Sequence, residues 1–292
     1  MAVVLPTDEP VFSSVVARVP ALSGVQDLVV RTLEGGLTNA NYLVEARGER
    51  FVVRIVGDNG DILVNDRTTE EAAMRRAVSA GISPELIVFV QPEGHIVTRY
   101  LEDATPLTIS QFVSDAMIPR LAARLKQVHG LESIDGSFDP YADIWRWLGV
   151  LDERGTDRPS RLASLLERVA SIEHDPIRND PDRFVLCHND PYHLNFLDDG
   201  SLWLIDWEYA GMGDMMYDIA SVAYVLDRRG KDLLLESYFG SVDTPRRLDL
   251  DASICVVLCW NVVWSLIQTH GGVTGFDYLA YAEELLDTVP MR

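Results

Sequence analysis

Residues 184–217 of this 292-residue chain read FVLCHNDPYHLNFLDDGSLWLIDWEYAGMGDMMY. Four apolar residues, Phe184–Cys187, predict a short buried strand, and His188-Asn189-Asp190 follows it. Asn195 stands five residues after Asp190. Asp198-Asp199-Gly200 predicts a tight turn, because glycine takes the positive φ that such turns need. A second strand over Leu202–Ile205 then delivers Asp206. Two carboxylates and an amide are thereby expected at one end of a hairpin. That set suits phosphoryl transfer from a metal-bound nucleotide. Asp190 would orient and deprotonate an attacking hydroxyl, while Asn195 and Asp206 hold Mg²⁺ against the phosphates of ATP. Alone, His-Asn-Asp is an ordinary turn and Asp206 a strand-end cap; the joint spacing carries the signal.

The chain is long enough for one large domain or two lobes, and its 47% apolar content fits a sizeable core. Cys187, Cys255 and Cys259 suggest no disulfide framework, which fits a reducing, cytoplasmic setting. Cys255 and Cys259, four apart in an apolar run, are expected to be core thiols. No C-x-x-C or histidine cluster suggests zinc, and His129 and His174 are expected at helix ends without metal-ligand company. MAVVLPTDEP lacks the charged and apolar regions of a signal peptide. The longest apolar run, Ile254–Ile267, is too short to span a bilayer. A net charge of −20 and a pI near 4.6 argue against nucleic acid and anionic membranes as partners. They favour a cationic small molecule, and say nothing of oligomeric state.

Along the chain, a short helix is expected around Val11–Arg18. Strands follow at Leu28–Leu33, Ala40–Ala46 and Phe51–Val56. Gly35-Gly36-Leu37-Thr38-Asn39 separates the first two, and a glycine-rich turn lets backbone N–H groups approach phosphates. Arg54 stands mid-strand among β-branched residues, where a charge needs a partner. A helix over Thr69–Ala80, capped by Thr68 or Thr69 and closed by Gly81, offers Glu70 or Glu71. Strands Leu86–Phe89 and His95–Leu101 complete five. From Pro106 the pattern is helical: Ser110–Val128, Tyr141–Val150, Arg161–Ile172, Asp214–Leu226 entered through Gly211-Met212-Gly213, Ala252–Thr269 capped by Asp251, and Tyr278–Thr288. Phe239–Pro245 is expected to be a loop.

The pattern H-x-D-x-x-x-x-N, a hairpin, then apolar-Asp resembles the protein-kinase catalytic loop and metal-binding Asp, here as Ile-Asp-Trp-Glu. CHNDP…N…IDWEYAGMGD…YDIA over 187–220 resembles the bacterial choline kinases, within the choline/ethanolamine kinase and aminoglycoside phosphotransferase superfamily. The resemblance implies an α+β, bilobal protein kinase-like fold. A nucleotide-binding lobe of residues 1–101 would carry a five-stranded antiparallel sheet and one helix. A mainly helical lobe of residues 102–292 would carry the catalytic hairpin and substrate site. It implies that Gly35, Gly36, Thr38 and Asn39 form the nucleotide loop. Arg54 would contact phosphate, paired with Glu70, or with Glu71 as the alternative. A hinge at Thr98–Glu102, with Thr98 and Tyr100, would meet the adenine through its backbone. His188 would join Asp190 as a catalytic-loop residue, and Asp218 would brace that loop.

The acceptor implied is a small cationic alcohol, choline first. A quaternary ammonium donates no hydrogen bond, so its site needs aromatic faces and carboxylates. Trp207, Glu208 and Tyr209 follow Asp206, Tyr192 lies in the catalytic loop, and the segment from Trp264 resembles a choline kinase segment whose Trp walls the choline pocket. The second Trp of that segment falls on Asn261 here, and Trp260 is read as core. Ethanolamine, thiamine and aminoglycosides are rival acceptors; a non-catalytic nucleotide-binding protein is a rival of another class.

Overall fold

The computed structural model describes residues 10–25, 27–33, 39–57, 66–271 and 275–289. Helix α1 (Pro10–Ala17) precedes strands β1 (Val29–Leu33), β2 (Asn39–Ala46) and β3 (Glu49–Val56). Helix α2 (Arg67–Ser79) and strands β4 (Leu86–Val90) and β5 (His95–Arg99) follow. The five strands pair antiparallel in the order β1-β2-β3-β5-β4. Their period-2 alternation sends Val30, Val44, Phe51, Val53 and Val97 to one face, where Phe12, Val15 and Val16 of α1 cover them. Ile96 points the other way and packs with Ala73, Met74 and Ala77 of α2.

Asp66, rather than Thr68 or Thr69, caps α2: its carboxylate accepts from the Thr68 N–H, and both threonine hydroxyls donate to it. A charged acceptor complements the helix N-terminus better than a hydroxyl. Gly81, at φ 67°, ends this helix as expected.

The remaining chain is mainly helical: β6 (Thr105–Pro106), α3 (Ile109–Phe112), α4 (Ile118–His129), α5 (Pro140–Glu153) and α6 (Leu162–Glu173). The single helix expected over Ser110–Val128 is two. Ser114 closes the first against the Gln111 carbonyl, and Pro119, which has no N–H to give, sits in the first turn of the second. Next come β7 (Phe184–Cys187), β8 (Phe196–Asp198), β9 (Leu202–Leu204) and β10 (Gly211–Asp214), then α7 (Met215–Ala223), α8 (Arg228–Phe239), α9 (Thr244–Gln268) and α10 (Tyr278–Thr288).

The hairpin is β8–β9, with β6 beside it, whereas β7 pairs with β10. Phe184 is therefore at an outer end, 52% exposed, not buried. Gly211-Met212-Gly213 is strand rather than helix entry, and Asp214 caps α7. Helix α8 replaces an unassigned stretch, capped by Asp227 and closed by Gly240 at φ 77°. Helix α9 starts at the cap Asp243, two turns before Asp251. Those turns are tolerated because Asp249, buried among them, pairs with Arg178 and Arg183. Among the described residues α9 alone is long and apolar enough to cross a membrane, but 83% of its apolar window is buried against the fold. It packs against α5, α6, α7 and α10 as the central core helix.

Backbone also docks on β10. Phe138 N–H donates to the Met212 carbonyl at 2.9 Å, and Met212 N–H to Gly136 at 3.1 Å. A Cβ on Gly211 would stand 3.0 Å from Phe138 N and 3.1 Å from Ser137 C. Gly211→Ala should therefore lower the urea unfolding midpoint by an amount equivalent to about 1–3 kcal/mol, with unchanged m-value. An unshifted midpoint would show that residues 136–138 yield freely.

Candidate active site

The catalytic loop leaves β7 with Asn189 at φ 67°, a left-handed conformation that short polar residues tolerate best. Asp218, fully buried on α7, holds it there. Its two oxygens accept the N–H groups of His188, at 2.8 Å, and Asn189, at 2.5 Å. Oδ2 also meets His129 Nε2 at 2.9 Å, and His129 Nδ1 lies 2.7 Å from the Tyr238 hydroxyl. Residues from α4, α7 and α8 thus brace two consecutive amides beside Asp190. His129 does have company: its Nε2, Cys187 Sγ and an Asp218 oxygen lie within 4.8 Å of one another. Burial first, and then the charge of Asp218, push the Cys187 thiol well above its ordinary range. Its Sγ faces the Gly213 carbonyl at 3.5 Å.

His188 is not placed for proton transfer with a substrate. Its Nδ1 accepts the Asp190 N–H at 3.2 Å and its Nε2 donates to the Ile205 carbonyl at 2.9 Å. The ring is fully buried against Trp207, centroids 4.7 Å apart, and burial pushes its pKa down, so it is a neutral spacer between Asp190 and Ile205.

Asn195 Nδ2 donates to the Asp190 carbonyl and to Asp190 Oδ2, at 2.9 and 3.0 Å, which leaves Asn195 Oδ1 available. Ile205 N–H donates to the Asn195 carbonyl at 2.9 Å, bringing Asp206 alongside. Asp206 is itself left-handed, at φ 65°. Arg54 reaches it from β3, Nη1 to Oδ1 at 2.7 Å, and grips Glu70 with Nη2. Glu70, fully buried, also takes Arg67 at 2.7 Å. Glu71 is engaged elsewhere, with Arg75 and Gln91. Burial opposes the Arg54 charge, yet Glu70, Asp206 and Glu208 outweigh it and hold the guanidinium above its ordinary range. Burial, then Asp206 and Glu208, push Asp190 well above the carboxylate range. The donor set fits Mg²⁺, a hard cation that takes few protein oxygens and keeps the rest for water and phosphate: Asn195 Oδ1 and the Asp206 carboxylate are hard oxygens side by side.

A cleft of about 400 Å³ runs across these groups. Toward the sheet its walls include Val52, Met74, Ile96, Thr98 and Tyr100. Asn39 is buried at the start of β2; Gly35, Gly36 and Thr38 lie outside the described residues. Toward the helices the walls are Tyr192, Tyr209, Tyr224, Trp260, Asn261, Trp264 and Tyr281, with Asp190 and Glu208 among them. Trp264 Nε1 donates to the Tyr209 hydroxyl at 3.0 Å, and Tyr209 packs edge-on to Trp260 at 4.9 Å. Glu208 accepts from Asn39 Nδ2 at 3.0 Å, and burial and Asp206, against the pull of Arg54, push its pKa up to about 7.

Trp207 touches the cleft but packs mainly in the core. It is 1% exposed, and its indole N–H is held by Ser83 at 3.1 Å. Trp260 is both core and wall, donating to Asp143 at 3.3 Å while one edge lines the cleft. Tyr224 and Tyr281 were not singled out from the sequence. Tyr224 follows α7, just past the 187–220 motif, and Tyr281 lies on α10 far from it, so only the packing of both helices on α9 brings the two together.

Removing the brace should loosen the loop rather than the nucleotide end. Asp218→Asn replaces one acceptor oxygen with a donor facing buried donors, so stability should fall on the order of 3 kcal/mol in thermal or urea unfolding. An unfolding midpoint equal to wild type would remove Asp218 from that role.

The sequence matches the phosphotransferase enzyme family over residues 29–250. It is 27% identical over 266 residues to the protein LicA of Haemophilus influenzae, covering 87% of this chain and 76% of that one. A choline/ethanolamine kinase family protein from Mesorhizobium loti superimposes with a TM-score of 0.78 at 28% identity, over 97% of this chain and 93% of the other. The choline kinase LicA from Streptococcus pneumoniae gives 0.78 at 20% identity, over 96% and 97%. The chain belongs to the phosphotransferase enzyme family.

Proposed function

We propose that the protein transfers the γ-phosphate of ATP to the hydroxyl of a small cationic alcohol, choline first. The observation that carries this reading is one continuous cleft. A carboxylate pair, an amide and a buried Arg stand at its centre, and an acidic aromatic cage at one end. Asp190, half-buried and held by Asn195 Nδ2 at 3.0 Å, would accept the acceptor's hydroxyl proton. Asn195 and Asp206 would hold Mg²⁺, which when bound supplies charge neutralisation for the transferring phosphate. Arg54 would steady phosphate oxygens while Glu70 fixes its fork. Thr98 and Tyr100 would lie beside the adenine, between lobes meeting near residue 101. Tyr192, Tyr209, Trp264, Tyr224 and Tyr281 would face the ammonium, with Glu208 supplying charge.

The relatives' names support a choline or ethanolamine acceptor. A non-catalytic nucleotide binder would not need Asp190, Asn195 and Asp206 together. The three described cysteines are free and buried, which fits a cytoplasmic setting.

ATP consumption across choline, ethanolamine, thiamine and an aminoglycoside tests the reading directly. Turnover should be highest with choline and require Mg²⁺. Good activity on aminoglycosides with none on amino alcohols would overturn it. Asp190→Ala should cut turnover about 10²–10⁴-fold while nucleotide still raises the melting temperature. Wild-type turnover in that variant, at saturating acceptor, would refute the base assignment. Trp264→Leu should raise the choline KM several-fold to about thirtyfold, with the ATP KM nearly constant. An equal rise in both would place Trp264 in the scaffold alone.

A further inference from the structure

Helix α9 turns Val257, Trp260, Asn261 and Trp264 toward the cleft, at the three- and four-residue spacings of one helix face. Asn261 is the polar member. Its Nδ2 donates to the Val257 carbonyl at 2.9 Å, four residues back. That contact fixes the amide's orientation, because only the nitrogen can donate to a carbonyl. Oδ1 then faces away from the helix backbone. Among the described residues it accepts no hydrogen bond, and it is not sealed from solvent. It is a neutral acceptor open to the cleft among rings and carboxylates.

Those rings and carboxylates attract a small cation through quadrupole and charge, and the carboxylates can also accept an N–H. Any acceptor distinguishes a tertiary ammonium, which has one N–H to give, from a quaternary one, which has none, and Asn261 Oδ1 adds an uncharged acceptor to those carboxylates. We propose that Asn261 is a specificity-determining residue that accepts a hydrogen bond from the acceptor's ammonium N–H. The cleft then takes 2-aminoethanols that retain at least one N–H in competition with the fully methylated one. The proposal rests on the amino-alcohol kinase assignment above.

N,N-dimethylaminoethanol differs from choline by one methyl group, so the two test the point with nearly constant size. Their kcat/KM values are measured for wild type, Asn261→Leu and Asn261→Asp, with the ATP KM reporting an intact fold. In the leucine variant the tertiary amine should fall about tenfold or more relative to choline, the effect expected for a hydrogen bond from a charged donor. Asn261→Asp keeps an acceptor oxygen and should keep the tertiary amine's relative standing. Asn261→Ala gives the same readout as leucine should leucine not pack. An unchanged ratio of the two acceptors in the leucine or alanine variant overturns the role of Asn261 and leaves the kinase assignment standing. If wild type phosphorylates neither compound, the amino-alcohol assignment itself fails and this inference with it.

Discussion

A buried guanidinium organises this protein. Arg54 stands in the middle of β3 with little access to water, where an unpaired charge would be prohibitive. The fold answers with two carboxylates from different places: Glu70 on α2 and Asp206 after β9. Satisfying one side chain thereby fixes the angle of α2 on the sheet and ties the sheet to the end of the catalytic hairpin. Glu70 is held in turn by Arg67, one turn back on its own helix. The charges form a chain in which each member screens its neighbour, which is what makes so dense an arrangement bearable in a low-dielectric interior.

The second organising element is Asp218. It receives two consecutive backbone N–H groups that no strand partner can take, because β7 has ended and the chain has turned left-handed at Asn189. Buried amides must be satisfied somewhere. A carboxylate on a core helix does this without allowing the loop to slide, and His129 keeps that carboxylate from rotating.

Much of this was legible in the sequence because the informative residues are local to one another. Asp190, Asn195 and Asp206 lie within seventeen positions of chain, and the alternation of the strands fixes which side of the sheet each residue takes. Arg54 announced its need for a partner by being charged in an apolar strand. Pairing that depends on distant chain was not legible. The stretch Phe184–Cys187 looks like the first arm of a hairpin, yet its partner lies beyond the next two strands, at Gly211–Asp214. The two glycines there read as helix entry, although they serve close backbone approach to residues 136–138. Asp251 looked like a cap because an apolar run follows it. Asp249 takes two arginines from a distant turn instead, and so lets the helix extend back to Asp243. His188 carries a motif position but faces the core, and Trp207 meets the cleft while packing mainly in the core, since a motif marks chain position and not side-chain direction. His129, Cys187 and Asp218 meet across eighty-nine positions, a contact with no sequence period to betray it.

Asn39 and Arg54 lie on neighbouring strands, β2 and β3, and each holds one residue of the segment after β9: Arg54 takes Asp206 and Asn39 takes Glu208. The two grips are two residues apart at both ends, so they act like a pair of rivets and not a pivot pin. The segment after β9 is consequently held against the sheet at two points, which resists its rotation better than either contact alone.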